Sequence, residues 1–307
     1  MRNRGSGERT PGPFRVQVPE DAIADLRPRL ARVRWPDEPP LEPWSTGTSL
    51  AYLKELVEYW RTAFDWREQE AKLNAFRQFT VPLDGIELHF IHEEGRGPDP
   101  MPLLLSHGWP GSVVEFGKII PLLTDPARFG GDAADSFTVV APSLPGYAFS
   151  YRPGQKRFGV EDIAETFASL MTDVLGYERF AAQGGDWGGF IASVLGHRYP
   201  ERVIGIHLNL LAVRRDPKMV ANPTPEEKAF LKLLNDWLKE ETGYQAIQGT
   251  KPQTLAFALA DSPAGLAAWI VEKFRAWSDC GGDPGNAISR DEMLANISLY
   301  WFTGAIG

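Results

Sequence analysis

The chain has 307 residues, 43% of them hydrophobic, which is enough to bury a large core as one domain or as a domain with an inserted cap. Its 40 acidic and 32 basic residues give a formal net charge of -8, and no basic cluster interleaved with aromatic residues is present, so nucleic acid is excluded as an expected partner. The single cysteine, Cys280, excludes an internal disulfide and a multi-cysteine metal site, and it predicts a reducing, cytoplasmic location.

The first part of the chain predicts a tail followed by a helical arm. Residues 1–12 are polar and predict a disordered tail, with no signal peptide or membrane anchor. Residues 13–78 form the predicted N-terminal arm. Apolar residues at helical spacing predict one helix within Phe14–Val33, which Trp35-Pro36 ends, and a second over Leu50–Phe64.

Residues 79–212 predict the first part of an α/β core. A period of two on either side of Asp84-Gly85 predicts a β-hairpin from Phe79 to Ile91. Short apolar runs that alternate with helical stretches then predict a doubly wound parallel sheet. The expected strands are Leu103–Leu105, Phe137–Val140, Phe180–Gln183 and Val203–Leu208, and the expected helices are Val113–Leu123, Val160–Leu175 and Trp187–Tyr199.

Residues 213–307 predict a helical cap, because the alternation of strands and helices ceases after Leu211. Three helices are expected, at Pro225–Glu241, Pro263–Ser278 and Arg290–Thr303. The stretch between the first two has no clear pattern.

Asp186 is the candidate nucleophile. It lies at the centre of Gly184-Gly185-Asp186-Trp187-Gly188-Gly189, directly after a predicted strand, where an α/β-hydrolase places its nucleophile on a tight turn flanked by small residues. A carboxylate at this position attacks saturated carbon and forms an alkyl ester, which indicates epoxides or alkyl halides. The alternative is that Asp186 only caps the following helix. The turn does not fit the G-x-G-x-x-G pattern of dinucleotide-binding folds.

A second motif, His107-Gly108-Trp109-Pro110-Gly111, follows the strand Leu103–Leu105, where this fold places an oxyanion loop. The backbone N–H groups of Trp109 and Trp187 are therefore the predicted oxyanion donors. His107, with Gly108 and Pro110, is predicted to hold the loop in place and not to act as a base.

Neither a metal nor a cofactor is expected. His89 and His92 lie three apart on a strand, so their side chains face opposite sides and make a poor metal pair.

Together the two motifs resemble the α/β-hydrolase epoxide hydrolases, and most closely the microsomal type, which includes the juvenile-hormone hydrolases. Three further segments carry the resemblance, which runs from about Pro13 to the end of the chain: the arm from Pro13-Phe14 to Arg34-Trp35-Pro36, and the cap segments Gly243–Gln248 and Asp261–Leu266. The implied fold is an α/β-hydrolase core with an N-terminal arm and an inserted helical cap.

The resemblance implies conversion of a hydrophobic epoxide and water to a vicinal diol through an ester on Asp186, in detoxification or the catabolism of aromatic hydrocarbons. It also implies two cap tyrosines that donate to the epoxide oxygen, which match Tyr244 and Tyr300. Considered without the family, Tyr300 has the spacing of an ordinary core residue, and Tyr244 lies in a connection after a helix.

The family's general base is a His paired with Asp or Glu after the cap. The five histidines of this chain, at 89, 92, 107, 197 and 207, all precede the cap, and none matches that base. We therefore expect the last strands of the sheet to be missing, and we expect the chain to form the ester without hydrolysing it. A haloalkane dehalogenase and a non-catalytic hydrolase-fold protein are the alternatives. The sequence leaves the particular epoxide and the oligomeric state open.

Overall fold

A computed structural model describes residues 10–211 and 221–307. Most of the predicted tail (1–9) and the predicted boundary between core and cap (212/213) lie outside the described residues. Gly12, which is predicted to belong to the disordered tail, is instead the first residue of a strand.

The described residues form a seven-stranded sheet in the order β1-β2-β3-β5-β4-β6-β7. The strands are β1 (Gly12–Phe14), β2 (Gln78–Leu83), β3 (Ile86–Glu93), β4 (Met101–Ser106), β5 (Phe137–Pro142), β6 (Phe180–Gly184) and β7 (Val203–Leu208). The pairs among β1, β2, β3 and β5 are antiparallel, whereas β5, β4, β6 and β7 run parallel to one another. The chain therefore has the mixed sheet of an α/β-hydrolase fold.

The register of β4 against β6 positions the two predicted motifs. Ser106, the last residue of β4, pairs with Gly184, the last residue of β6. Parallel strands present their carboxyl ends at the same edge of a sheet, so the loop that begins at His107 and the turn at Asp186 start side by side.

Helices cover both faces of the sheet. One face packs against α5 (Val160–Ser169) and α6 (Trp187–Arg198), and the other packs against Val113–Phe116 and α4 (Ile119–Thr124). The arm contributes α1 (Glu20–Ala31), α2 (Leu50–Thr62) and α3 (Trp66–Leu73).

Two predicted helices of the core differ from the structure. The stretch Val113–Leu123 is divided into a 3₁₀ turn and α4, and the break lies at Gly117-Lys118. The stretch Val160–Leu175 is α-helical only to Ser169 and continues as a π-helical turn over Leu170–Val174. Apolar periodicity does not distinguish an α-turn from these tighter and wider turns, since all of them keep the same face buried.

Five cap helices are described: α7 (Pro225–Glu241), α8 (Gly243–Thr250), α9 (Pro252–Asp261), α10 (Pro263–Trp277) and α11 (Arg290–Thr303). Helices α8 and α9 occupy the stretch that lacked a clear pattern in the sequence. Taken singly, no helix within 10–211 or 221–307 is long and apolar enough to cross a membrane, although α9 and α10, which meet at a bend of 118°, pass by length and composition as a pair.

The arm and the cap share one hydrophobic core. Leu30 from α1 and Trp60 from α2 belong to the same buried cluster as Ile270 from α10 and Ile297 from α11. Hydrogen bonds within the arm connect its two ends. The Asn74 side chain donates to the carbonyl of Val16 at 2.8 Å and accepts from the N–H of Val16 at 2.9 Å. The arm thus supports cap helices α10 and α11.

Candidate active site

The turn after β6 forces Asp186 into an unusual backbone conformation. Its φ is 49° and its ψ is -125°, a combination that L-residues adopt at an energetic cost. The turn tolerates only small neighbours, because a Cβ on Gly184 would overlap the carbonyl of Gly188, and a Cβ on Gly188 would overlap the carbonyl of Ser106. These contacts give the physical reason for glycine two positions before and after the candidate nucleophile.

Backbone donors from both motifs converge on the Asp186 carboxylate. The N–H of Trp109 donates to Oδ1 at 2.8 Å, and the N–H of Trp187 also donates to the carboxylate. Gly108 contacts the same group so closely that a Cβ there would overlap Oδ1. Burial raises the pKa of Asp186, and the two N–H donors oppose that shift because they stabilise the charged form.

His107 anchors the loop through both ring nitrogens. The backbone N–H of Leu144 donates to Nε2 at 3.1 Å, so Nε2 is the acceptor and Nδ1 carries the proton. Nδ1 lies 3.1 Å from the carbonyl oxygen of Gly108, to which it donates. Burial lowers the pKa of His107 to about 4. The imidazole is therefore neutral near pH 7, and neither nitrogen is free to act on Asp186.

Helix α11 holds the other side of the loop. Asn296 donates to the carbonyl of Pro110 at 2.6 Å and accepts from the Ser112 hydroxyl at 2.7 Å. The Trp109–Pro110 peptide bond is cis. The hydroxyl of Tyr300 donates to the carbonyl of Gly111 at 2.8 Å. These contacts join the cap to the loop that carries the Trp109 N–H donor.

Tyr244 and Tyr300 both lie near Asp186. Tyr244 is on helix α8 and not in a loop, and its ring stacks on Trp109 with centroids 4.9 Å apart and planes 6° apart. Tyr300 is buried, with 3% of its surface exposed. Burial raises the pKa of both phenols and the charge of Asp186 raises it further, so both are protonated donors at neutral pH. The structure thus places both tyrosines near Asp186, although sequence spacing alone gave neither of them a role in the site.

Two further side chains near Asp186, those of Tyr147 and Glu115, are not among the site residues predicted from the sequence. Tyr147 follows β5, and burial followed by the charge of Asp186 raises its pKa. The carboxyl group of Glu115 lies against Gly111, where a Cβ would overlap Oε2, and it accepts a hydrogen bond from the backbone of Ser112, although the residue as a whole is exposed. Burial, and then the charge of Asp186, raise the pKa of Glu115 to about 8. The one sequence signal for Tyr147 and Glu115 was that each follows a parallel strand, because ligands bind at the carboxyl ends of such strands.

The remaining histidines are engaged or lie on the surface. His89 is buried between Ser143 and Gln78, and His92 bonds to the Tyr177 hydroxyl at 2.8 Å. His197 and His207 are exposed. No histidine is among the groups that set the pKa of Asp186. Over the described ranges, no group of three or more His, Cys, Asp or Glu residues is arranged to hold a metal ion.

Two family models match the chain. The model described as "Epoxide hydrolase N terminus" matches residues 11–116, and the "alpha/beta hydrolase fold" model matches residues 101–267. The first covers the arm and the oxyanion loop, and the second covers the strands that carry Asp186 and much of the cap.

Relatives over nearly the whole chain agree with these matches. A putative epoxide hydrolase of Stigmatella aurantiaca is 49% identical over 95% of this chain and 66% of its own length, and epoxide hydrolase 1 of Oryctolagus cuniculus is 38% identical over 96% and 70%. The chain thus spans about two thirds of the length of these relatives. The crystal structure of the juvenile hormone epoxide hydrolase of Bombyx mori is similar with a TM-score of 0.85 at 32% identity, over 97% of this chain and 76% of that one. The chain therefore belongs to the microsomal-type epoxide hydrolases of the α/β-hydrolase superfamily.

Proposed function

We propose that this chain opens a hydrophobic epoxide by attack of the Asp186 carboxylate on a ring carbon. The observation that carries the proposal is the convergence of the Trp109 and Trp187 N–H groups on this carboxylate, with Tyr244 and Tyr300 nearby. An apolar substrate is favoured, because three aromatic rings contact one another beside the carboxylate: those of Trp109, Tyr244 and Trp277.

In the first step, the carboxylate oxygen that Trp109 does not hold attacks a ring carbon, and the bond from that carbon to the epoxide oxygen breaks. The leaving oxygen takes a proton from the phenol of Tyr244, or from that of Tyr300 once this hydroxyl turns from the Gly111 carbonyl to the epoxide oxygen. This proton stays on the new hydroxyl group, and water supplies another proton to the phenolate and leaves as hydroxide. The product is a hydroxyalkyl ester of Asp186. The two tyrosines lower the barrier because the negative charge on the leaving oxygen develops at their hydroxyls.

In the second step, water attacks the ester carbonyl carbon and the diol leaves, which restores the carboxylate. The N–H donors of Trp109 and Trp187 stabilise the oxyanion of the tetrahedral intermediate. A base must accept the proton of the attacking water. His107 does not serve, since both of its nitrogens are engaged and its pKa is lowered. We propose that the 307-residue chain accumulates the ester and does not turn over.

Intact-mass measurement after incubation with styrene oxide tests both steps. We expect one added molecule of styrene oxide per chain, mapped to the peptide that contains Asp186, and no addition to Asp186→Asn. Absence of any adduct, with no diol formed, would contradict the nucleophile. Sustained diol production by the 307-residue chain would contradict the trapped ester while leaving the first step intact.

The proposed role is the removal of reactive aromatic or other hydrophobic epoxides in the cytoplasm. The sequence supports a reducing compartment, because its single cysteine, Cys280, has no second cysteine with which to form an internal disulfide. Fractionation of the source cells with an antibody against the chain tests this location, and recovery in a membrane fraction would contradict it.

A further inference from the structure

Helix α10 carries a buried cation beside the candidate site. Lys273 is 6% exposed, and the other residues that α10 buries are apolar or small, among them Leu266, Ile270 and Val271. Its ammonium group lies 2.9 Å from Glu241 of α7 and 2.8 Å from Glu272. Glu241 also accepts from the indole N–H of Trp277 at 3.2 Å. Burial of a lysine is costly unless its charge is compensated, and these two carboxylates compensate it.

The same ammonium group lies over aromatic rings of the site. Its nitrogen is 5.3 Å from the centre of the Tyr244 ring and 5.2 Å from that of Trp277, which is within the range of cation–π attraction. Tyr244 stacks in turn on Trp109, whose N–H donates to Asp186. A continuous set of contacts therefore runs from Lys273 through Tyr244 to the residue that holds the carboxylate.

Lys273 has a structural role in the cap, because its charge compensates the carboxylates of Glu241 and Glu272. Replacing a whole buried ion pair with apolar residues is often neutral or stabilising, whereas replacing Lys273 alone with Met leaves both carboxylates without their partner and destabilises the fold. A charge near the Tyr244 ring has a separate effect, because a cation stabilises the negative charge that reaches the phenol oxygen as the proton leaves. Asp186 and Glu241 have the opposite effect, because their negative charges raise the pKa of Tyr244.

We propose that Lys273 is a positioning residue for epoxide opening: it fixes the ring of Tyr244 against Trp109, and its charge strengthens the Tyr244 hydroxyl as a proton donor to the epoxide oxygen. This inference rests on the proposed function. Lys273 acts through Tyr244 and does not touch the reacting atoms. Among the described residues, the charged or titratable groups beside this pair include Asp186, Glu241, Glu272 and Tyr147.

The test measures the single-turnover rate of ester formation on the 307-residue chain with styrene oxide, followed by intact mass. Lys273→Met is expected to lower that rate about tenfold, and Lys273→Arg, which keeps the charge, is expected to stay within about threefold of the original chain. Lys156→Met is the matched control. The ammonium nitrogen of Lys156 also lies over an aromatic ring, 5.0 Å from the centre of Phe158, but its side chain is exposed on the surface of the α/β domain.

A double-mutant cycle separates action through Tyr244 from a general structural role. In the Tyr244→Phe background, Lys273→Met is expected to change the rate less than about twofold. An unchanged tenfold loss in that background would overturn the proposal, because it would show that Lys273 acts independently of the hydroxyl.

The pH profile gives a second readout. Because a cation favours the phenolate, its removal is expected to shift the alkaline decline of the ester-formation rate to higher pH. If Lys273→Met does not fold, Lys273→Gln is measured in its place, since its amide retains hydrogen bonding to Glu241. A profile and rate equal to those of the original chain would overturn the inference, whereas the absence of adduct in the original chain would overturn the proposed function itself.

Discussion

The backbone N–H of Trp109 lies 2.8 Å from Oδ1 of Asp186, although the two residues are 77 positions apart in the chain. The register of β4 against β6 brings them together, because it aligns Ser106 with Gly184. The carboxylate is thus oriented before a substrate arrives, which removes a reorganisation step from the reaction.

Gly108→Ala is expected to slow ester formation by roughly 100-fold, because its new Cβ would displace the Asp186 carboxylate from its position between two N–H donors. Single-turnover mass measurement with styrene oxide gives the rate. Gly205→Ala is the control, since nothing lies within 4 Å of a Cβ at that position on β7. Equal rates for Gly108→Ala and the original chain would show that the orientation of the carboxylate does not limit the reaction.

Tyr300→Phe is expected to have two effects. Loss of the 2.8 Å hydrogen bond to the Gly111 carbonyl lowers the free energy of unfolding by about 1 kcal/mol. Loss of the phenol slows ester formation by about 10- to 100-fold, because a donor to the epoxide oxygen is removed.

Chemical denaturation and single-turnover mass measurement follow these two effects separately. Tyr177→Phe is the matched control, because it loses a comparable hydrogen bond, to His92 at 2.8 Å, away from Asp186. It is expected to reproduce the loss of stability without the loss of rate. If both variants slowed ester formation equally, Tyr300 would have no specific part in ring opening.

The imidazole of His107 is expected to stay neutral down to about pH 5, since burial lowers its pKa from 6.5 to about 4. The folded-state pKa lies below the unfolded value. The stability contributed by neutral His107 is therefore complete above pH 6.5 and is lost as the pH falls towards 4. Imidazole carbon shifts in an NMR titration, assigned with His107→Gln, measure this. A His107 resonance that titrated near pH 6.5 would contradict the buried, neutral ring.

Glu115→Gln is expected to stabilise the protein at alkaline pH and to change little near pH 5. Burial and the charge of Asp186 raise the folded-state pKa of Glu115 from 4.5 to about 8, so the folded chain binds a proton that the unfolded chain releases between these values. Stability therefore falls as the pH rises through this window, and Gln does not ionise.

The gain at about pH 8.5 is expected to be about 1 kcal/mol, well below the free energy that corresponds to the full pKa shift, because Glu115 is exposed as a whole residue and solvent screens its charge. Urea unfolding of both chains at about pH 5 and about pH 8.5 measures it. A pH-independent difference between the two chains would show that ionisation of Glu115 does not carry the effect.

Much of the core could be predicted because its signals are local. The apolar run of β6 and the glycine-rich turn after it placed Asp186, and the structure shows why glycines are needed there, since side chains at Gly184 and Gly188 would overlap the backbone. The alternation of strands and helices predicted an α/β sheet, the motifs at Asp186 and His107 indicated the α/β-hydrolase fold, and family membership is confirmed by the relatives. Helices α8 and α9 were not predicted, because Gly243 and Pro252 interrupt the apolar period there.

The sequence by itself determined the fold class, the turn at Asp186 and the loop at His107, because each depends on residues that are adjacent in the chain and on backbone geometry that they dictate directly. Tertiary structure alone decided that Trp109 stacks on Tyr244, that Lys273 lies over the Tyr244 ring, and that Glu115 lies close enough to Asp186 for their charges to interact. These contacts join residues from separate strands and helices. Their geometry is set by how the arm, the cap and the sheet pack around shared cores, and no local pattern encodes that packing.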